Sequence, residues 1–454
     1  MKIIENKKIL GWSKSDFSIS SYALADSVEK LQEIFSLARK QSKSVSLRGA
    51  GRSYGDNTLN NNNIVLKFIQ KKKIIKFNEV TGQIEVTGCC KIIDLLHYSV
   101  PKGWLLYVSP ASQFVTIAGA ISNNVHGKNC YQMGYFGDYV EEIVFYSTSK
   151  GIVKCSPIEN EKFFNNIIGG LGLLGVIISA KIKLRKIRSI KMETTSYIVT
   201  NLENAAAQMT MLRNQKEFNI GSLNFTRFKS KYLGKIYSSS FCSEGRELEV
   251  KNFSPNSIIK LINIILLINK LPPFNKYIEF IFAMLTTLKS FKKQIFQNYF
   301  QMNFLGDIYL PLYNHFFKRG FIEYQVIFSQ NNFLQAVEKI KIQMKKNNYS
   351  SFMSSFKSYK ACSQNYSLGI KQDGFCITLD IPFENNEKFY NFIRVINKIT
   401  IEYNGVVYLG KNPCLNSFEF KSMYPKYNEF LKVKNILDPE NILCSDMSKR
   451  IFFK

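Results

Sequence analysis

The sequence predicts an α+β fold with more than one hydrophobic core. Three observations carry that reading. Short strand-like runs and amphipathic helical stretches are mixed along the first half, the pattern of an α+β unit. The 454 residues exceed the length, roughly 250–300, at which a single core stops growing. A hydrophobic content of 45% with 14% aromatic side chains excludes wholesale disorder.

Taken in order, residues 22–41 place Ala23, Val28, Leu31, Ile34, Phe35 and Leu37 at roughly 3.6-residue spacing, which predicts a helix. Residues 44–48 read as a strand entering a glycine-rich loop, and 64–66 and 83–87 as further strands. A short helix is expected over 92–99, then a strand over 104–108 leading to Ser109-Pro110. Strands over 142–147 and 175–184 complete the first half. Past about Met192 the chemistry thins, and 222–228 and 322–328 read as strands bracketing a different kind of segment. Farther on, 376–383 reads as a strand ending at proline, 386–403 as a helix, and 405–411 as an extended run. The close, 438–446, reads as a turn and short strand.

The bracketed segment, 257–270, is the most apolar part of the chain. It is shorter than the ~20 residues a spanning helix needs, and Pro272-Pro273 breaks it. Residues 280–285 follow, with Lys289, Lys292 and Lys293 just beyond. Apolar blocks flanked by lysines can lie in a membrane interface; a buried helix pair is the other reading.

The formal net charge of +27 implies attraction to polyanions: nucleic acid, an anionic membrane surface or a phosphorylated substrate. No nucleic-acid-binding signature accompanies the charge, so nucleic acid is not expected. Nine cysteines form no C-x-x-C pair, and an odd, scattered set argues for reduced thiols in a cytoplasmic setting. The N-terminus has no apolar run of the signal-peptide kind. Three histidines, with no H-x-x-x-H spacing, predict no metal site. His97 reads as structural on an apolar helix, and His315 carries no motif.

Three glycine-rich turns hold the strongest signal. The first is Ser46-Leu47-Arg48-Gly49-Ala50-Gly51-Arg52-Ser53-Tyr54-Gly55-Asp56-Asn57. Glycines so spaced let the backbone adopt positive φ and approach a ligand, so that N–H groups line an anion-binding concavity. The spacing is G-x-G-x-x-x-G with no helix start behind it and no Gly-Lys-Ser/Thr, so it is neither a Rossmann fingerprint nor a P-loop. The second turn spans Ser109 to Asn129, including Val125-His126-Gly127-Lys128-Asn129, and the third is Gly169-Gly170-Leu171-Gly172-Leu173-Leu174-Gly175. Together they point to one long ligand threaded between two sheets.

In that order the turns resemble the FAD-binding module of the vanillyl-alcohol oxidase and p-cresol methylhydroxylase superfamily. Arg-Gly-x-Gly-Arg-Ser-Tyr-Gly-Asp-Asn, His-Gly-Lys-Asn and the tail Ser445-Asp446-Met447-Ser448-Lys449-Arg450 look more closely like the decaprenylphosphoryl-ribose 2-oxidase family. The likeness is strong at both ends and thin over roughly 192–318. It implies a two-subdomain FAD-binding module of the p-cresol methylhydroxylase type over 1–191. A substrate (cap) domain on an antiparallel sheet with helices would occupy 192–400, its membrane-facing part near 257–290. Residues 401–454 would return to the FAD domain.

The same resemblance implies the site. FAD would be held by Arg48, Gly49, Ala50, Gly51, Arg52, Ser53 and Tyr54, by Ala111, Ser112, Thr116, Gly119, Asn123, Val125 and His126, and by Gly172, Ile177 and Tyr408. Related lactone and alditol oxidases carry a flavin-linking histidine where Arg52 stands, so the FAD here should be bound non-covalently. Lys411 matches the family's lysine at the substrate; desolvated among apolar neighbours, it would suit proton transfer or holding a sugar hydroxyl. His126, Gln325, Lys128 and Tyr54 complete the expected catalytic set. Glu323 departs from the family's usual glutamine. Thr378 stands where mycobacterial enzymes carry the cysteine attacked by mechanism-based inhibitors, with Cys376 two residues earlier on the same strand face. Leu171 is apolar, so that turn can offer the cofactor only backbone.

The implied activity is oxidation of the 2-hydroxyl of a polyprenyl-phosphate-linked pentose to a ketone, the first half of an epimerisation in cell-envelope biosynthesis. Its implied partners are a short-chain reductase, a quinone or other electron acceptor, and an anionic surface at the inner membrane. The rival readings are a soluble sugar, alditol or sugar-lactone oxidase and a non-catalytic flavin-binding scaffold.

Overall fold

The computed structural model of this chain describes residues 2–226, 233–243, 245, 247–250, 293–307, 317, 319–411 and 414–452. The apolar stretch expected at a membrane, 257–290, and His315 lie outside them. Among the described residues no helix is long and apolar enough to cross a membrane.

Three sheets follow one another along the chain. The first has four strands in the order β1-β2-β4-β3: β1 Lys2–Leu10, β2 Phe17–Ala25, β3 Val45–Leu47 and β4 Ile64–Phe68. β4 pairs in parallel with both β2 and β3. The helix Val28–Lys40 buries Leu31, Ile34, Phe35 and Ala38 in the core beneath this sheet. Here the expected helix over 22–41 is corrected at its start. Ala23 pairs with Ile3 and Leu66 as sheet, and the helix begins only at Ser27, whose side chain accepts the Lys30 N–H at 3.3 Å.

The second sheet is antiparallel, ordered β5-β6-β10-β8-β9 with β7 also pairing β10. Its strands are β5 Ile74–Asn78, β6 Gln83–Thr87, β7 Trp104–Leu106, β8 Val140–Ser147, β9 Gly151–Cys155 and β10 Val176–Lys186. The short helix Ile117–Ser122 packs on β10 and carries the second glycine turn.

The third sheet is antiparallel and eight-stranded, ordered β14-β11-β13-β12-β16-β17-β15-β18. It contains β11 Lys191–Val199, β12 Phe218–Phe225, β13 Gly234–Phe241, β14 Lys293–Asn298, β15 Phe321–Phe328, β16 Ser351–Tyr359, β17 Gly374–Pro382 and β18 Val406–Val407. β15 (Phe-Ile-Glu-Tyr-Gln-Val-Ile-Phe) is buried along its whole length. Its alternation sends Tyr324, Val326 and Phe328 to one face and Glu323 and Gln325 to the other. The helices Gln330–Lys346 and Glu387–Glu402 supply Phe333, Ile340, Phe389, Phe392 and Ile396 to the same core, each such burial stabilising by about 1.5–3 kcal/mol. The extended run expected over 405–411 is shorter: β18 holds two residues, and Tyr408-Leu409-Gly410-Lys411 turns away from it.

The C-terminus returns to the first sheet. Leu443 bridges β3 at Val45, and then, instead of strand, the chain forms the helix Asp446–Phe452. That helix pins the first glycine loop. Arg450 grips Asp56 with two contacts of 2.8 and 2.9 Å, Lys449 donates to Asn60 Oδ1 at 2.7 Å, and Asp446 accepts the Asn61 N–H at 3.0 Å. Loop and tail motifs lie almost four hundred residues apart in sequence and form one structural unit.

Candidate active site

A cavity of about 810 Å³ lies where the glycine turns meet the cavity face of the third sheet. Every residue expected to hold FAD, and each of Lys411, His126, Gln325, Lys128 and Tyr54, lies on its wall. One side is loop. Gly51 sits at φ +69°, and a Cβ there would fall 2.6 Å from Arg48 Nη2, so only glycine fits. Gly172 at φ +77° plays the same part in the third turn. Beside it Leu171 takes φ +58°, a strained conformation for a branched residue, held by its N–H on Ser122 O at 2.7 Å. Arg52 stacks its guanidinium 4.8 Å from the Trp12 ring and 5.1 Å from Phe114.

The other side is sheet. Register places Gln325 opposite Thr378 and Glu323 opposite Asp380 across β15 and β17, and Lys357 of β16 opposite Cys376 of β17. Directly paired residues share a face. Glu323, Gln325, Thr378, Asp380, Lys357 and Ser355 therefore form the polar floor of the cavity. Cys376, on the same face, is fully buried and off its wall.

His126 is packed edge-to-face by Tyr359 at 4.7 Å and Tyr408 at 4.9 Å, and its Nε2 meets Gln325 Nε2 at 2.9 Å. Burial, with the charges of Lys357 and Lys411, holds its imidazole well below the usual histidine range, so the ring is neutral near pH 7. Lys128 donates to Met302 O, and burial, assisted by Lys357, brings its ammonium down to about 7. Lys357 is also lowered by burial, with Lys411 adding to the effect. Lys411 stands differently. Its Nζ is ion-paired to Glu323 Oε1 at 2.8 Å and lies 3.9 Å from the centre of the Tyr54 ring. The desolvated lysine expected at 411 is thus a paired one, because β15 brings a buried carboxylate to meet it.

A profile for the FAD binding domain matches residues 19–156, and one for D-arabinono-1,4-lactone oxidase matches 375–451. Decaprenylphosphoryl-beta-D-ribose oxidase of Mycolicibacterium smegmatis is 23% identical over 98% of this chain and 97% of its own length. Cytokinin dehydrogenase 9 of Oryza sativa is 24% identical over 52% of this chain and 48% of the relative. D-arabinono-1,4-lactone oxidase of Yarrowia lipolytica is 26% identical over 42% of this chain and 35% of the relative. The chain is an FAD-dependent oxidoreductase, and its matches fit the vanillyl-alcohol oxidase and p-cresol methylhydroxylase superfamily.

The residues present fit that cofactor. The cavity is within the ~300–1,000 Å³ of ligand pockets, the Gly51 and Gly172 turns leave room where side chains would intrude, and Arg52 Nε, Asn57 Oδ1 and His126 Nδ1 are buried without a partner among the described residues. Polar atoms left so are the ones a bound ligand satisfies.

Sequence reasoning missed several members of this oxidoreductase's cavity wall. Lys357 and Ser355 stand on β16, a stretch the sequence does not announce as a strand, and Asp380 stands on the expected strand over 376–383 without a site role assigned to it. The available signal was a polar residue at every second position, Ser355-x-Lys357 and Thr378-x-Asp380, inside otherwise apolar runs. His97, read as structural on an apolar helix, is on an exposed face of the helix Ile92–Ser99.

Proposed function

We propose that this oxidoreductase oxidises the 2-hydroxyl of a polyprenyl-phosphate-linked pentose to a ketone, as the first half of an epimerisation that a short-chain reductase completes. The observation that carries the reading is the end-to-end similarity to decaprenylphosphoryl-beta-D-ribose oxidase, the similarity that spans both the loops and the sheet. Six lysines on the cavity wall, Lys67, Lys73, Lys91, Lys128, Lys357 and Lys411, support an anionic substrate. FAD, when bound, supplies the two-electron acceptor. On this reading residues 1–191 and 401–454 hold the cofactor, and 192–400 hold the substrate.

The work of the chain's own residues is then orientation and proton handling. Lys411 stands at the reacting hydroxyl, where, ion-paired to Glu323, it can hold that oxygen by charge or take part in the proton's transfer. Lys128, with its ammonium near 7, is the second group able to receive that proton. Arg52 cannot form the covalent link that a histidine forms, so the cofactor is released by denaturation. The net charge of +27 favours work at an anionic membrane surface, with a quinone or similar acceptor taking the electrons onward.

A lactone oxidase is the second reading, supported by the match over 375–451. Anaerobic mixing decides between them. Bleaching of the flavin band by polyprenylphosphoryl ribose, and not by free ribose or arabinono-lactone, supports the first; bleaching by the lactone alone supports the second.

A further inference from the structure

The two nitrogens of the His126 ring are in different situations. Nε2 lies 2.9 Å from Gln325 Nε2, whereas Nδ1 is buried and has no hydrogen-bond partner among the described residues. Gln325 is itself fixed. β15 sets its backbone opposite Thr378, its side chain is only 1% exposed, and its amide nitrogen also stands 3.4 Å from Tyr359 Oη and 3.3 Å from Cys376 Sγ. An amide nitrogen carries two hydrogens and accepts nothing, so the contact with His126 is a bond only if Nε2 is the acceptor. A neutral imidazole has one hydrogen. If Nε2 accepts, that hydrogen is on Nδ1.

We propose that Gln325 is a positioning residue that fixes His126 in the Nδ1–H form, so that a neutral N–H donor is presented to an oxygen atom of the bound flavin or sugar. The neutrality has its own cause, since burial and the nearby Lys357 and Lys411 oppose a second proton on the ring. A neutral donor stabilises a carbonyl or developing oxyanion without competing for the substrate's proton, which is left to the lysines. His126 therefore orients and polarises, and is not the base. The tautomer does not depend on the substrate reading above; only the identity of the acceptor oxygen rests on it.

The chain's three histidines make the test direct. Protein labelled with 15N at histidine, with the His126 signals assigned by His97→Gln and His315→Gln, gives the ring tautomer from its two-bond 15N–1H correlations. Nδ1 should carry the hydrogen in the apoprotein and the FAD-loaded protein between pH 6 and 8. Adding FAD should move the Nδ1 proton if the acceptor belongs to the flavin. If it belongs to the sugar, only polyprenylphosphoryl ribose added to chemically reduced enzyme, which cannot turn over, should move it. Gln325→Glu should transfer the hydrogen to Nε2, which then donates to the carboxylate. An Nε2–H ring in the unsubstituted protein overturns the proposal, as does an imidazolium or an Nδ1 proton that neither addition moves. Should Gln325→Glu fail to fold, the spectrum of the unsubstituted protein decides alone. Failure of the substrate reading looks different: the tautomer stands while no lipid-linked sugar bleaches the flavin.

Discussion

The loop wall of the cavity is built from three short turns, Arg48 to Tyr54 and those at Gly119 and Gly172, each a run of residues adjacent in sequence. The sheet wall offers side chains, and its neighbours come from β12, β15, β16 and β17, brought together by register alone. The first kind of wall suits a ligand that is the same in every member of a superfamily. The second can change chemistry by single substitutions at alternate positions while the strands stay put. The tail helix Asp446–Phe452 locks the first wall, and the Glu323–Lys411 pair tunes the second.

The largest expected effect lies on the sheet wall. Lys411→Ala should keep FAD, which the loop wall holds, while flavin reduction by substrate falls by about 10²–10⁴-fold, as for loss of an acid–base group. Lys411→Arg separates the two roles open to this lysine. Arginine keeps the ion pair with Glu323 but cannot shed a proton. Near-normal reduction by Lys411→Arg would show a charge that positions substrate, and near-normal reduction by Lys411→Ala would remove Lys411 from the site.

Next in size is a pH effect at Lys128. Its neutral fraction grows as pH rises through about 7. If it receives the hydroxyl proton, the reduction rate of the enzyme–substrate complex should rise about tenfold per unit below that point and level off above it. Lys128→Met should flatten this limb; an unchanged profile assigns the limb elsewhere. Stability follows the same sign. An unfolded lysine titrates near ~10.4, so between about 7 and 10 the unfolded chain binds more protons and stability should rise with pH across that window. Urea unfolding midpoints of Lys128→Met should lack that rise.

Smaller again is an effect that belongs to the loop wall. Asp56→Asn removes one partner of the Arg450 contacts at 2.8 and 2.9 Å, leaving a mostly buried guanidinium short of its carboxylate. Such charged hydrogen bonds contribute about 1.5–3 kcal/mol. With the loop less firmly held, FAD affinity should fall by roughly tenfold, equivalent to about 1.4 kcal/mol, as read by flavin fluorescence titration. Reduction of the enzyme that retains FAD should be unchanged. A drop in reduction at full FAD occupancy would mean that the two walls are not independent.

The same contrast explains what was legible in the sequence. The glycine loops declare themselves because positive φ and close approach demand glycine at fixed spacing, and all three reach the cavity. The β2 strand was hidden because Ala23 happens to fall in helical register with Leu31 and Phe35, and only the Ser27 cap marks the true start. Lys357 was hidden for a deeper reason. A lysine in a lysine-rich chain gains significance only when register sets it opposite Cys376, and register depends on packing across the whole sheet. The pairing of Lys411 with Glu323 is equally out of reach of the sequence, although Glu323 departs from the family's usual glutamine.

The smallest expected effect is an absence of reaction, and it tests register itself. Inhibitors that attack a cysteine in the mycobacterial enzymes should label this protein poorly. Thr378, not a cysteine, faces the cavity, with its hydroxyl engaged by the Ser355 N–H at 2.9 Å and the Ser355 hydroxyl at 2.7 Å. Cys376 lies on the same strand face but behind it, fully buried, in contact with the Gln325 amide, and its thiol is pushed up to about 11 by burial. A thiol that is both unexposed and mostly protonated is a poor nucleophile. Thr378→Cys should gain a stoichiometric adduct by intact mass, while the unsubstituted protein stays unmodified under the same turnover conditions. A stoichiometric adduct on Cys376 would mean that β17 is shifted by two residues against β15. Gln325 would then face Cys376 directly, and the paired polar positions of the sheet wall would have to be reassigned.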